Sequence, residues 1–141
     1  MPTNKRNVLY IRCSDGRSRR PEEIREHCVH QIRLPGGVLN PIYCSGHFGS
    51  DIPQSVWHAK LVFDIDTMVE LKAPDEIIVA SHSHCGAAQA IGFTDQQVSE
   101  AHLEWGKFLA ERYPNILVRV LHEIHSECGE HHDGYIDLKA A

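Results

Sequence analysis

The chain has 141 residues, 42% of them apolar and 23% charged, and its formal net charge is −5. This size and composition predict one soluble domain over residues 1–141 and exclude a largely disordered chain. The negative charge argues against nucleic acid or an anionic membrane as a partner, and no apolar stretch is long enough to span a bilayer. No secretory signal precedes the first predicted strand, so we expect a cytoplasmic protein whose five cysteines are reduced.

The first third of the chain predicts two strands separated by a short helix. Residues 8–12 and 29–33 are apolar runs of strand length. Between them a helix is expected to begin at Pro21 and to end near His27, because proline suits the first helical position. The residues Leu34-Pro35-Gly36-Gly37 then interrupt regular structure, and residues 38–53 have the composition of a loop.

The middle of the chain predicts a long helix and then the central strand. The helix is expected over residues 54–71, with Asp51 or Ser55 as its cap. Near-helical spacing predicts that its buried face carries Val56, Val62, Ile65 and Val69. Residues 76–80 are continuously apolar, which is typical of a parallel strand that is buried on both faces.

The last third predicts two helices and the final strands. A short helix is expected over residues 86–91, and a second helix begins at a capping box of Thr94 and Gln97 and ends near Tyr113. The inner face and edge of this second helix are predicted at Val98, Ala101, Trp105, Phe108, Leu109 and Arg112. Residues 116–124 form a strand and residues 135–138 a possible edge strand. The order predicts an α/β fold with a mainly parallel four-stranded sheet and flanking helices.

Two of the predicted strands end in residues that bind transition metals. Cys13 directly follows the first strand, and His82 and Cys85 follow the central strand with two residues between them. Because the carboxyl ends of parallel strands meet at one edge of an open sheet, these three side chains are expected to converge. Two cysteines and one histidine, with a fourth position left open, are typical of a catalytic zinc site. In an extended segment successive side chains point to opposite sides, so His84 is expected to point away from this group.

Other cysteines and histidines give weaker signals. A dense group near the carboxyl end is either a second metal site or a polar tail without fixed geometry. Its members are His122, His125, Cys128, His131 and His132. Cys28 and Cys44 have no partner pattern and are expected to be packing or surface residues.

The metal-binding motifs resemble those of the β-class carbonic anhydrases. The resemblance rests on Cys13-x-Asp15-x-Arg17, on His82-x-x-Cys85-Gly86-Ala87, and on the order of the elements between them. It implies a sheet of four parallel strands, zinc held by Cys13, His82 and Cys85, and a homodimer. The chain departs from the family at Leu34-Pro35, and its sequence before the first strand is not expected to form the family's N-terminal helical arm. The dimer interface is therefore expected at the sheet edges or at residues 38–53.

The resemblance implies reversible hydration of carbon dioxide to bicarbonate by zinc-bound hydroxide. Asp15 would accept the proton of the bound water and orient its oxygen toward the substrate. Arg17 would pair with Asp15, keep it ionised and hold it away from the metal. Two alternatives stay open: hydrolysis of carbonyl sulfide or carbon disulfide on the same scaffold, and a non-catalytic zinc-binding module. The substrate-binding residues are not identified by any motif.

Overall fold

A computed structural model describes residues 5–14, 27–48, 51–125 and 132–138. Its sheet has the strand order β2-β1-β3-β4-β5, formed by β1 (Asn7–Cys13), β2 (Cys28–Leu34), β3 (Glu76–His82), β4 (Leu117–His125) and β5 (His132–Leu138). The first four strands in this order are parallel, and β5 pairs antiparallel with β4 at the edge. The predicted α/β class, the four parallel strands and the edge strand are confirmed.

The order of the strands predicts a binding crevice at the carboxyl ends of two neighbouring strands, β1 and β3. After β1 the chain goes to β2 on one side, and it later returns to β3 on the other side. In open α/β sheets, such a reversal of strand order leaves a crevice outside the carboxyl ends of the two strands. Cys13 is the last residue of β1 and His82 is the last residue of β3, so both lie at this crevice.

The core lies on both faces of the sheet, and β3 is at its centre. Every residue of β3 is buried, as its continuous apolar run predicts. The core on one face includes Leu9, Ile11, Ile77, Val79, Leu61, Ile65 and Leu109. The opposite face has a second buried cluster of Val8, Tyr10, Ile78, Ala80 and Leu121. The strand ends that carry the metal-binding residues therefore extend from the least accessible part of the sheet.

The helices are α1 (Asn40–Tyr43), α2 (Gln54–Lys72), α3 (Gly86–Ala90) and α4 (Asp95–Arg112). The predicted capping box of α4 is present, because Thr94 Oγ1 accepts from the N–H of Gln97 and Gln97 Oε1 accepts from the N–H of Thr94. Within the described residues, no helix is long and apolar enough to cross a membrane.

The predicted inner faces of the two long helices need correction. Val56 of α2 is 53% exposed, and the buried positions of that helix are Leu61 and Ile65. The start of α2 has Pro53 at its N-cap without a side-chain hydrogen bond, so neither predicted cap is used. On α4, Phe108 is 36% exposed, whereas His102 is buried beside the predicted Val98 and Leu109.

The prediction of a loop over residues 38–53 is wrong for most of that segment. The chain forms a 3-10 turn over Gly37–Leu39, then α1, and then a π-helical turn over Cys44–Phe48. Val38 and Leu39 are buried, and Pro41 is buried at the start of α1. Burial of these apolar groups stabilises helical turns that the glycine- and proline-rich composition does not predict.

Candidate metal centre

Cys13, His82 and Cys85 lie together at the crevice, as their positions in the sequence predict. All three are buried, and their ligand atoms lie within 4.8 Å of one another. Cys13 ends β1, His82 ends β3, and Cys85 occupies the N-cap position of α3. Among the described residues, this is the one group of three or more such side chains close enough to hold a metal ion.

The turn between His82 and Cys85 is sharp because both side chains must face the same point. His84 adopts a positive φ of 54°, which L-residues rarely do because Cβ then crowds the backbone. The side chain of His84 is partly buried and does not belong to the group. This agrees with the prediction that it turns away from the other two.

The imidazole of His82 is oriented by a hydrogen bond to the chain that follows it. Its Nδ1 lies 2.8 Å from the backbone oxygen of Ser83. A carbonyl oxygen only accepts, so Nδ1 carries the proton and the lone pair of the neutral ring is on Nε2. A histidine that donates a hydrogen bond from the N–H of one ring nitrogen leaves the other nitrogen unprotonated, which is the tautomer that a metal ligand requires.

The two thiols interact with each other. A hydrogen bond with Cys13, then burial and the charge of Cys13, raise the pKa of Cys85 far above its ordinary value. The backbone N–H groups of Ala88 and Ala87 act in the opposite direction. Two buried thiols so close together do not both ionise without a cation. Two thiolates and one neutral imidazole are ligands that zinc prefers, so the donor set fits this metal.

The surroundings of the thiols are apolar. Cys13 and Cys85 belong to a buried cluster with Leu39, Ala88 and Val98. Ile42, Ala87, Phe93 and Ala101 pack against this cluster. Such walls limit the access of bulk water and strengthen the interactions of charges inside them. They also suit a small apolar molecule better than a charged one.

Known proteins resemble this chain in structure. No protein-family model and no curated protein matches its sequence. The β-carbonic anhydrase CafA of Aspergillus fumigatus is 17% identical with a TM-score of 0.54, over 97% of this chain and 77% of that one. A tetrameric β-carbonic anhydrase of Sordaria macrospora is 16% identical with a TM-score of 0.51, over 96% and 82%. The chain has the β-carbonic anhydrase fold. At these identities the comparison shows the fold alone.

Two buried histidines lie near the candidate centre without belonging to its ligand group; the sequence places His122 in the group near the carboxyl end and does not single out His102. His102 of α4 is 1% exposed, and its burial lowers its pKa to about 4. His122 of β4 is also buried, with Nδ1 2.7 Å from Oγ of Ser81, and burial lowers its pKa. His122 therefore has a fixed place in the sheet and is not part of a polar tail. The helical spacing of His102 from Val98 is the signal that places it on the inner face of α4.

Several predicted residues lie outside the described part of the chain. These are Asp15, Arg17 and the helix expected from Pro21. The same holds for Cys128 and His131, and the side chains of His125 and His132 are likewise not described. Cys28 is exposed with Sγ 3.6 Å from Nε2 of His30, and Cys44 is partly buried with Sγ 3.6 Å from Oδ1 of Asn40.

Proposed function

We propose that this protein is a zinc-dependent carbonic anhydrase that interconverts carbon dioxide and bicarbonate. The observation that carries the proposal is the buried Cys13, His82 and Cys85 group at the crevice between β1 and β3. It supplies a donor set suited to zinc, within a fold shared by structures of β-carbonic anhydrases. Three protein ligands leave one position for a water molecule, as in catalytic rather than structural zinc sites.

Some residues of this chain would hold the metal, and others would form the surface that admits the substrate. When bound, zinc would supply the Lewis acidity that lowers the pKa of a coordinated water toward about 7. Cys13 and Cys85 would hold the ion as thiolates, and His82 through Nε2. The apolar wall that includes Leu39 and Val98 would receive carbon dioxide, which has no charge and no proton to donate.

Asp15 and Arg17 complete the proposed mechanism. Asp15 follows Cys13 by two residues, and in this proposal its carboxylate would accept a hydrogen bond from a water molecule at the metal site. Arg17 would form a bidentate ion pair with that carboxylate. The pair would keep Asp15 ionised and prevent it from occupying the fourth position of the metal. Both residues belong to the metal site in this proposal because they lie within four residues of a ligand.

The decisive experiment is a stopped-flow assay of carbon dioxide hydration on purified protein of measured zinc content. We expect a hydration rate that is proportional to bound zinc and that disappears in Cys85→Ser. Zinc-loaded protein without hydration activity would contradict the proposal. Parallel assays with carbonyl sulfide and carbon disulfide test the second candidate chemistry, because the same donor set serves both.

A non-catalytic zinc-binding module is the competing interpretation. It requires that a side chain such as Asp15 fills the fourth metal position at every pH. Cobalt substitution tests this, because the visible spectrum of Co²⁺ reports whether a water or an exogenous anion exchanges at that position. A spectrum that is insensitive to both pH and added anion would favour the module.

We also propose that the protein acts as a homodimer. The Sordaria structures are described as tetrameric, so assembly occurs within this fold. The described surface includes large exposed apolar side chains at Val56 and Phe63 of α2. Sedimentation equilibrium at micromolar concentration is the test, and a monomer there would contradict the proposal.

A further inference from the structure

His102 is a buried imidazole that lies beside the proposed metal site without belonging to its ligand group. Its neighbours on α4, Val98 and Ala101, pack in the cluster that contains Cys13 and Cys85. A Cβ built on Gly37 would stand 3.5 Å from Nε2 of His102 and 3.4 Å from the backbone nitrogen of Cys13. Nε2 of His102 and the backbone of Cys13 therefore lie on either side of a space about the size of a methyl group.

The tautomer of His102 follows from its one hydrogen bond. Nδ1 lies 2.8 Å from the backbone oxygen of Val98, so Nδ1 carries the proton and Nε2 can only accept. Within the described part of the protein, no group donates to this buried Nε2. Leaving a buried acceptor unsatisfied costs about 1–3 kcal/mol. A leucine of similar volume would avoid this cost, so a histidine at this buried position implies a hydrogen-bond donor to Nε2.

We propose that His102 is a positioning residue whose Nε2 accepts a hydrogen bond from a water molecule held between Gly37, Cys13 and the open side of the metal site. The inference rests on the proposed function only in requiring a metal at Cys13, His82 and Cys85. Gly37 leaves room for the water, because any side chain there would contact both Nε2 and Cys13. A neutral acceptor in an otherwise apolar wall favours a ligand that carries a proton. His102 therefore favours water over anions that have no proton to donate.

The test compares azide binding to cobalt-substituted wild type, His102→Leu and His102→Gln at one pH, followed by visible absorption. Leucine keeps the volume and removes the acceptor, whereas the Oε1 of glutamine reaches about as far as Nε2. Loss of one hydrogen bond to the competing water should lower the azide dissociation constant of His102→Leu about fivefold. The glutamine variant should stay within about twofold of wild type. His58→Leu, at an exposed position of α2, is the matched control and should not change azide binding.

Stability separates this role from a purely structural one. His102→Leu should retain zinc and unfold at a temperature close to that of wild type, because leucine has a similar volume and fills the same buried space. The inference would be overturned if His102→Leu had the same azide dissociation constant as wild type. It would also be overturned if His102→Gln lowered that constant as much as His102→Leu does. Should the leucine variant fail to fold, His102→Asn replaces it, since asparagine preserves the donor to Val98 but does not reach the Nε2 position. The azide measurement stands even if carbon dioxide is not the substrate.

Discussion

Gly36 donates its backbone N–H to Sγ of Cys13 across 3.3 Å, and this contact joins the glycine turn after β2 to the end of β1. Gly36 has a φ of 81°, which is accessible to glycine without strain. A Cβ at this position would lie 3.3 Å from Cβ of Ala87 and 3.4 Å from Cβ of Leu39. The turn therefore fits closely between α3, which begins next to Cys85, and the 3-10 turn that follows it.

Gly36→Ala should lower both stability and zinc retention. Backbone strain and the contact with Ala87 together should cost about 1–3 kcal/mol, and displacement of α3 would separate the two thiols. Thermal unfolding and competition with a zinc chelator measure the two effects. Gly92→Ala is the control, because Gly92 has a φ of 76° but a Cβ added there would have no neighbour within 4 Å. Equal losses in the two variants would show that the packing against Ala87 is unimportant.

Cys13→Ser and Cys85→Ser should each release the metal. Zinc binding stabilises the folded state, so both variants should lose the increase in melting temperature that added zinc gives to wild type. Zinc content by mass spectrometry and thermal scans with and without chelator are the measurements. Cys28→Ser, at an exposed position on β2, should behave as wild type. Full zinc content in either of the first two variants would refute the ligand assignment.

The strands and the metal-binding group could be predicted because each depends on a local pattern. The continuous apolar run of β3 requires burial on both faces, and His82 and Cys85 follow it directly. Parallel pairing of β1 and β3 then brings Cys13 to the same edge. The capping box at Thr94 is equally local, since its hydrogen bonds span only three residues.

The errors concern features that depend on tertiary packing. On α2, apolar residues occur around most of the helix, so periodicity does not distinguish the exposed Val56 and Phe63 from the buried Leu61. The helical turns over Gly37–Phe48 depend on burial of Val38 and Leu39, which composition does not reveal. His102 could not be connected to the site because its position depends on how α4 packs over the glycine turn.

Acid should destabilise wild type more than His102→Leu. Burial lowers the pKa of His102 from 6.5 to about 4, so the unfolded chain binds a proton that the folded state does not. The stabilisation is therefore complete above the unfolded pKa and is lost as pH falls from 6.5 toward the folded value of about 4. The full difference corresponds to about 3 kcal/mol. Urea unfolding at about pH 7.5 and about pH 5 measures the part of this difference that is lost by pH 5, about 2 kcal/mol.

The expected result is a smaller loss of unfolding free energy in His102→Leu than in wild type over that interval. His122 is also buried with a lowered pKa, and its charge helps to lower the pKa of His102, so the comparison includes the coupling between the two histidines. An equal loss of unfolding free energy in the two proteins would mean that His102 gains a hydrogen-bond acceptor or contact with solvent in acid. That outcome would contradict the lowered pKa that burial gives to His102.

Asp15 and Arg17 distinguish an enzyme from a zinc-binding module. Asp15→Asn should keep its zinc but lose hydration activity about 100-fold or more, because a neutral amide is a poor proton acceptor and can turn its NH₂ toward the water. Arg17→Ala should also keep zinc, yet release Asp15 to bind the metal and exclude water. Zinc content, hydration rate and the Co²⁺ spectrum of each variant are the measurements.

These three measurements distinguish the proposed role of Asp15 from that of Arg17. In Asp15→Asn the Co²⁺ spectrum should still respond to added anion, since the fourth position stays exchangeable. In Arg17→Ala the response should be absent, and the double variant that combines both changes should restore it, because asparagine is the weaker ligand. Asp64→Asn is the matched control, since it breaks an exposed ion pair with Lys60 on α2 and should leave all three measurements unchanged. Wild-type hydration rates in both single variants would refute this mechanism.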